Sequence, residues 1–199
     1  MLRTNILEGG PHGPEYDMSG YVTKADRVAR LFCSVIDEII NSRAITAVAD
    51  GQISEAQFIG LQYVYLHPDC CIKDLAGGLK VSHPAAVKLV ERLEAKEFIS
   101  RTAHARDRRI VQLSATDYGK QLTEQIMITR SHAIEDLLNQ ASANCSCDII
   151  EVLETFVKVA LEDSKDLDGV CLRCGCSHDD DCPVCETEYE ITGELRTNS

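Results

Sequence analysis

VSHPAAVKLVERLEAKEFISRTAHARDRRIVQLSATDYGK, residues 81–120, decides how the rest of the chain is read. Ser82 is a helix N-cap residue, and Pro84 sits in the first turn, where a missing N–H costs nothing. The helix HPAAVKLVERLEAKEF follows. Ile99–Arg101 and Ile110–Leu113 then read as two strands enclosing the polar, basic loop TAHARDRR. Thr116 caps a long helix that runs to about Ala141. Helix, basic hairpin, helix is an arrangement that can present one helix and one loop to a charged polymer.

Upstream, Ser54 opens SEAQ, a capping-box pattern with Gln57 three residues on. The helix FIGLQYVYL follows and stops before His67-Pro68. Asp69 is a candidate N-cap for CCIKDLAGGL, which Gly77-Gly78 breaks. Two short helices joined by a tight turn and followed by a basic hairpin form a winged helix-turn-helix. The second helix can enter a major groove with its N-terminal side chains at base edges, and the hairpin loop can reach backbone or minor groove. The candidate DNA contacts are Ser82, His83, Ala85 and Lys88 on the helix and Arg106, Arg108 and Arg109 in the wing. For the arginines the alternative is an ordinary solvated loop, and for His83 an ordinary first-turn helix residue.

Long helices flank this centre. In YVTKADRVARLFCSVIDEIINSR, Val28, Leu31, Phe32, Val35, Ile36 and Ile39 recur at three- and four-residue steps, which predicts one amphipathic helix with Cys33 as a small core residue. Beyond Ala141 a final helix carries Ile149, Ile150, Leu153, Phe156, Val157 and Ala160 on one face. After Asp163 the chain turns acidic and cysteine-rich with no helical period. The divisions are 1–20, a flexible arm; 21–53, an N-terminal helix and linker; 54–115, the winged helix-turn-helix; 116–163, C-terminal helices; and 164–199, an acidic Cys-rich tail. The fold class is mainly α with a small β-hairpin wing.

The 199 residues carry a formal net charge of −12, which alone argues against nucleic acid. Its distribution argues otherwise. Residues 54–120 hold 10 Lys and Arg against 8 Asp and Glu, whereas the flanks hold 10 against 24. The N-terminus has no apolar signal core, and no apolar run approaches a membrane span, so the expected compartment is the cytoplasm, with no membrane partner. There, clustered cysteines indicate metal or redox chemistry rather than structural disulfides. The chain shows no Gly-rich phosphate loop, no nucleophile–base signature and no open metal site, so no enzymatic activity is expected.

DLAGGLKVSHPAAVKLVERLEAKEFISRTAHARDRRIVQLSATDYGK resembles the DNA-binding core of the MarR family, with VSHPAAVKLVERLEAKEFI at its recognition helix and DRRIVQLSATDYG at its wing and the start of its next helix. The likeness is strong over about residues 54–122 and holds in layout for the flanking helices. It implies a homodimer built by the N- and C-terminal helices, binding a pseudo-palindromic site in double-stranded DNA. It also implies a place for a small aromatic acid between the dimer helices and the DNA-binding lobe, and a structural role for Asp107 in orienting the wing. Val87 and His83 depart from the family, which often has a polar residue at the first position and a longer basic one at the second.

The tail poses a separate question. CLRCGCSHDDDCPVC, residues 171–185, contains Cys171, Cys174, Cys176, Cys182 and Cys185, five of the chain's ten cysteines. Thiolates select zinc, copper(I) or iron–sulfur centres. In the zinc reading, Cys171-x2-Cys174 and Cys182-x2-Cys185 are two knuckles closing a tetrahedral Zn2+ site, with Cys176 spare and His178 a substitute ligand. A [2Fe–2S] cluster also needs four thiolates, and Cys174-Gly175-Cys176 brings backbone close to the sulfurs. CLRCGCSHDDDCPV resembles the cluster-binding segment of SoxR, a redox-sensing regulator of the MerR family. That resemblance implies the ligands Cys171, Cys174, Cys176 and Cys182, leaving Cys185 extra. Asp179, Asp180 and Asp181 would disfavour the more negative reduced cluster, and they also keep an exposed loop soluble.

Cys145-x-Cys147 and Cys70-Cys71 read as residues at helix starts; the second pair opens the first helix of the helix-turn-helix, where a thiol is more acidic. The leading expectation is a homodimeric DNA-binding regulator modulated by a [2Fe–2S] cluster. A zinc-stabilised or zinc-responsive regulator is the alternative within that class. An iron–sulfur electron-transfer or interaction protein without DNA binding is the alternative outside it.

Overall fold

Ala49, Leu61, Leu75, Val90, Leu93 and Leu113 are fully shielded from solvent, and they come from five helices or strands that the sequence places far apart. The computed structural model describes residues 18–103, 111–142, 148–162 and 182–193. Within these, Met18–Ser34 forms α1 and Ser42–Ala49 forms α2. Between them Val35–Asn41 is π-helical: the Ser42 N–H donates to the carbonyl of Asp37, five residues back. The amphipathic stretch expected as one regular helix therefore continues to Ala49 and changes winding on the way. It also starts at Met18, inside the segment assigned to the arm.

Glu55–Leu66 is α3. Its expected capping box forms on both sides: the Gln57 N–H donates to Ser54 Oγ at 3.3 Å and the Ser54 N–H to Gln57 Oε1 at 3.1 Å. Ile72–Gly78 is α4 and His83–Ala95 is α5. The turn between them is tight. Lys80 adopts a left-handed backbone (φ 51°), and the Val81 N–H donates to the Ala76 carbonyl at 3.0 Å. Gly78 is needed where α4 crosses α3, because a Cβ there would lie 2.2 Å from the Tyr63 ring.

The wing is a three-stranded antiparallel sheet in the order β1-β3-β2. The strands are β1 (Cys70–Cys71), β2 (Ile99–Ala103) and β3 (Val111–Ala115), with Cys70 opposite Leu113 and Ile99 opposite Ala115. This corrects the reading of Cys70-Cys71 as the opening of a helix. Cys70 is buried in a strand, and Cys71, not Asp69, stands at the N-cap of α4, its N–H donating to Asp74 Oδ2 at 2.9 Å. Asp69 instead takes a left-handed turn conformation (φ 65°), and its carboxylate accepts from Ser114 Oγ.

Asp117–Ser142 is α6, against which α2 and α3 pack, and Ile149–Glu162 is α7. The tail holds a further helix that its composition did not announce: α8, Pro183–Thr192, which packs along α7. Leu161 and Val184 meet in that contact, and Lys158 Nζ lies 2.6 Å from Glu186 Oε2.

Every described side chain from Gly20 to Val35 is exposed, Cys33 included. The reading of Cys33 as a core residue is thus wrong for the single chain. The apolar rows of α1 and of the earlier part of α7 form surface here, with Leu31 59% and Phe156 69% exposed.

Candidate nucleic-acid interface

The recognition helix α5 is held by its inner face. Ala86, Val90 and Leu93 are buried in the core, and Leu89 packs closely over Gly60 of α3. Its outer face carries Ser82, His83, Ala85 and Lys88, all exposed. Ser82 caps the helix as expected, its Oγ accepting the Ala85 N–H at 3.4 Å. Because the cap is a hydroxyl on an exposed first turn, the helix N-terminus, with its partial positive charge, faces outward. All four are therefore accessible, and Ala85 and Lys88 also border a cavity beside the helix. Val87, flagged as a departure from the family, is half-buried beside them.

Two side chains that sequence reasoning did not single out hold this helix in place. Lys96, at the C-cap of α5, donates to Gln57 Oε1 at 3.0 Å and to the Gln52 carbonyl at 2.7 Å. Arg101 on β2 pairs with Glu94 of α5, Nε to Oε2 at 2.9 Å. The first strand of the hairpin and α5 thus meet in this ion pair as well as in packing. Nothing in the local sequence pattern distinguishes these two cations from solvated ones.

Arg106, Asp107, Arg108 and Arg109 lie outside the described residues, as does the loop they form. The strands that carry the loop are fixed in register as far as Ala103 opposite Val111. The hairpin expected from the sequence is present, with both strands reaching two residues further towards or beyond the expected ends.

A cavity of about 800 Å³ opens between the N-terminal helical stretch and the DNA-binding lobe. Ile36, Asp37 and Asn41 of the π segment line one side, and Gln62, Lys88 and Arg92 line the other. The Asn41 Oδ1 atom is buried without a hydrogen-bond partner. Cations and an open acceptor on apolar walls suit a small ligand with an acidic group and a donor.

Beneath the wing, Tyr63 and Cys70 are buried side by side in charge terms. Burial, reinforced by Cys70 and Asp74, pushes the Tyr63 hydroxyl up to about 12, and that hydroxyl donates to the Asp74 carbonyl at 3.1 Å. Burial, with Asp74 next, pushes the Cys70 thiol up to about 12 as well. This is the reverse of the activated thiol that a helix start would give. Below pH 9 both groups are neutral whether the chain is folded or not. Above it the unfolded thiol, then the unfolded phenol, ionises while the folded groups do not. Stability should therefore fall as pH rises from about 9 to about 12. Urea midpoints measured across that range should decline in the wild type and decline less in Cys70→Val.

Of the five clustered cysteines, Cys182 and Cys185 are described. Cys182 stands at the N-cap of α8, half-buried against Leu161 and Val184, and no side-chain capping bond engages its sulfur. Cys185, one helical turn later, is buried. Cys171, Cys174 and Cys176, the Cys145-x-Cys147 pair and Asp179–Asp181 lie outside the described residues. Among the described residues no group of three or more His, Cys, Asp or Glu side chains is placed to hold a metal ion. None of the described helices is long and apolar enough to cross a membrane.

Residues 53–111 match the model of the MarR family. The chain is 27% identical over 100 residues to an uncharacterised HTH-type transcriptional regulator, YsmB, of Bacillus subtilis; the match spans 50% of this chain and 63% of that protein, less than two thirds of its length. In structure it is similar to RV1404 from Mycobacterium tuberculosis (TM-score 0.59, 22% identity, covering 76% of this chain and 99% of that one). It is also similar to Streptococcus pneumoniae FabT, solved in complex with DNA (TM-score 0.56, 17% identity, 70% and 92%). The family match covers 59 residues of the centre, and the likeness to the solved structures shows that this chain has their winged-helix fold.

Proposed function

We propose that this chain, whose residues 53–111 match the MarR family, is a homodimeric transcriptional regulator that binds a two-fold-related site in double-stranded DNA, and whose affinity is set by a [2Fe–2S] cluster in its C-terminal segment. The observation that carries the DNA reading is α5: a helix with a buried inner face and an exposed, capped N-terminal end bearing Ser82, His83, Ala85 and Lys88. The FabT structure, with the same fold and DNA bound, supports it. The acidic remainder of the chain disfavours loose association with DNA and leaves the neutral-to-basic centre as the attractive surface.

The dimer reading rests on α1 and α7. Both carry apolar rows that the single chain leaves bare, and a surface of that kind marks a protein partner. A second copy offers the same rows in return, as an isologous interface requires. The cavity beside the π segment lies where a small aromatic acid would act on both the dimer helices and α5.

For the metal, Cys182 fits as one thiolate ligand: it stands at the N-cap of α8, and no capping bond engages its sulfur. Cys171, Cys174 and Cys176 would complete the set by sequence spacing. When bound, such a cluster supplies a one-electron change of charge. Helix α8 connects that change to α7 through Leu161, Val184 and the Lys158–Glu186 pair.

The test has two parts. Protein purified without oxygen should contain equal iron and sulfide and absorb in the visible, and a colourless protein with stoichiometric zinc would replace the cluster with a Zn2+ site. Oxidised and reduced samples are then titrated against duplexes selected from random DNA. A difference in affinity is expected, and equal affinities would remove the sensing role. On the same duplexes Lys88→Ala should weaken binding evenly across sequences and lower the salt slope by about 1, as loss of one phosphate contact does.

A further inference from the structure

The π-helical stretch Val35–Asn41 interrupts an otherwise continuous helix at the point where it passes from bare surface into the core. Before it, every described side chain of α1 is exposed. After it, Ala44, Ile45 and Ala49 of α2 are buried in the main core, and α2 packs on α6. The two faces have different duties: the row Val28, Leu31, Phe32, Val35 and Ile39 lies bare, while α2 anchors the winged-helix lobe.

Their relative direction depends on the winding between them. At 3.6 residues per turn each residue advances roughly 100°. Counted at that pitch from Val28, the α2 core face of Ala44, Ile45 and Ala49 would point roughly 110° away from the bare row. A π turn closes its hydrogen bond one residue later than an α turn, so a short π run absorbs about one residue without advancing the helix. The stretch therefore shifts the bare row against the α2 face by roughly 100°, to about 150° from it, on nearly the opposite side of the helix.

We infer that Val35–Asn41 carries one residue more than a regular helix between the same ends would need, and that this residue sets the rotational phase of the α1 row against the DNA-binding lobe. The inference rests on the homodimer reading, in which that row meets the partner chain. Conversion of the stretch to α-helix, with the residue retained, would swing α1 about its axis and misdirect the row. The same stretch lines the cavity through Ile36, Asp37 and Asn41, and the Asn41 Oδ1 atom is buried there without a partner. Whatever fills the cavity and donates a hydrogen bond to that oxygen presses on the element that fixes the phase.

The inference predicts an asymmetry that a plain helix would not show. Two full-length variants are compared with the wild type by sedimentation velocity: one lacking Glu38, an exposed residue of the stretch, and one with a single alanine inserted after it. The deletion removes the extra residue and leaves the flanking helices in phase, so the dimer dissociation constant should stay within about threefold of wild type. The insertion rotates the row by roughly 100° and should weaken the dimer at least tenfold. Deletion and insertion that weaken the dimer equally would overturn the inference, since in a regular helix both shift the phase by one residue. Hydrogen exchange on the wild type gives a second readout that no misfolded variant can spoil. Amides of residues 35–41 should exchange at least tenfold faster than those of α2, and equal protection would also overturn it. A wild-type protein that sediments as a monomer at micromolar concentration would instead remove the homodimer reading itself, before any variant is made.

Discussion

Gly119→Ala is expected to lower the melting temperature by roughly 6–12 °C, the equivalent of about 3 kcal/mol in a chain of this size. Gly119 lies in the first turn of α6, and a Cβ built there would stand 2.0 Å from the carbonyl oxygen of Phe98 and 3.2 Å from Leu61 Cδ1. The oxygen cannot retreat cheaply. It accepts the Thr116 N–H at 3.0 Å and the Thr116 hydroxyl at 3.2 Å, and the same hydroxyl donates to the Glu97 carbonyl at 2.6 Å and accepts the Gly119 N–H at 3.0 Å. Phe98 itself is 1% exposed, and its ring stacks on Tyr118 with centroids 5.3 Å apart. To admit a methyl group, α6 must lift from the end of α5 and the start of β2, which loosens these hydrogen bonds and opens the core around Leu61 together. Calorimetry on the wild type and the variant reads the effect directly. A fall of less than 2 °C would mean that the helix start shifts freely and that the contact is not a constraint.

That glycine illustrates what the sequence did and did not make legible. The run ending in TDYG was read for its cap, and the Thr116 hydroxyl does accept the Gly119 N–H; it was also read for its likeness to a known family, whose match over residues 53–111 stops short of it. The reason for Gly119 is a contact with Phe98, 21 positions earlier, which no local pattern contains. The capping box at Ser54–Gln57, the cap at Ser82 and the two wing strands were readable because each depends on neighbours within a few residues. The strand Cys70–Cys71 was not, since two residues have no period and its partners Leu113 and Gln112 are remote. The π stretch was hidden by its own composition: Val35, Ile36 and Ile39 continue the three- and four-residue spacing of α1, so apolar pattern alone reports an unbroken helix. Helix α8 was missed because its covered face uses Cys185 and Thr187 beside Val184, a mixture that hydropathy does not score as a core face. Of the candidate site, Ser82 at the N-cap of α5 and His83, Ala85 and Lys88 on the helix are exposed. The apolar rows of α1 and α7 were read as apolar faces, and the single chain leaves both exposed.

The largest functional effect should come from placing charge on one of those rows. In the double variant Leu153→Glu and Phe156→Glu both changes fall on bare residues of α7, so each chain should fold as before: helical content and urea midpoint at low protein concentration should match the wild type. The homodimer would bring two such rows together and bury four carboxylates without partners. An unpaired buried charge typically costs about 3–5 kcal/mol. The dimer dissociation constant should therefore rise at least about 100-fold, where 1.4 kcal/mol is tenfold. DNA binding follows from valence. A dimer that grips two half-sites gains the effective concentration of the second lobe once the first is bound, an advantage of about 100-fold or more that a monomer forfeits. The salt dependence separates this from simple damage to the interface with DNA, because its slope counts phosphate contacts. A monomer with an intact α5 and wing should keep about half the wild-type slope, since it makes half the contacts. A variant that stays dimeric and keeps its affinity would show that α7 is not part of the interface. One that becomes monomeric while retaining the full slope would show that both half-sites are occupied without the dimer, and that the bare rows of α1 and α7 serve another partner.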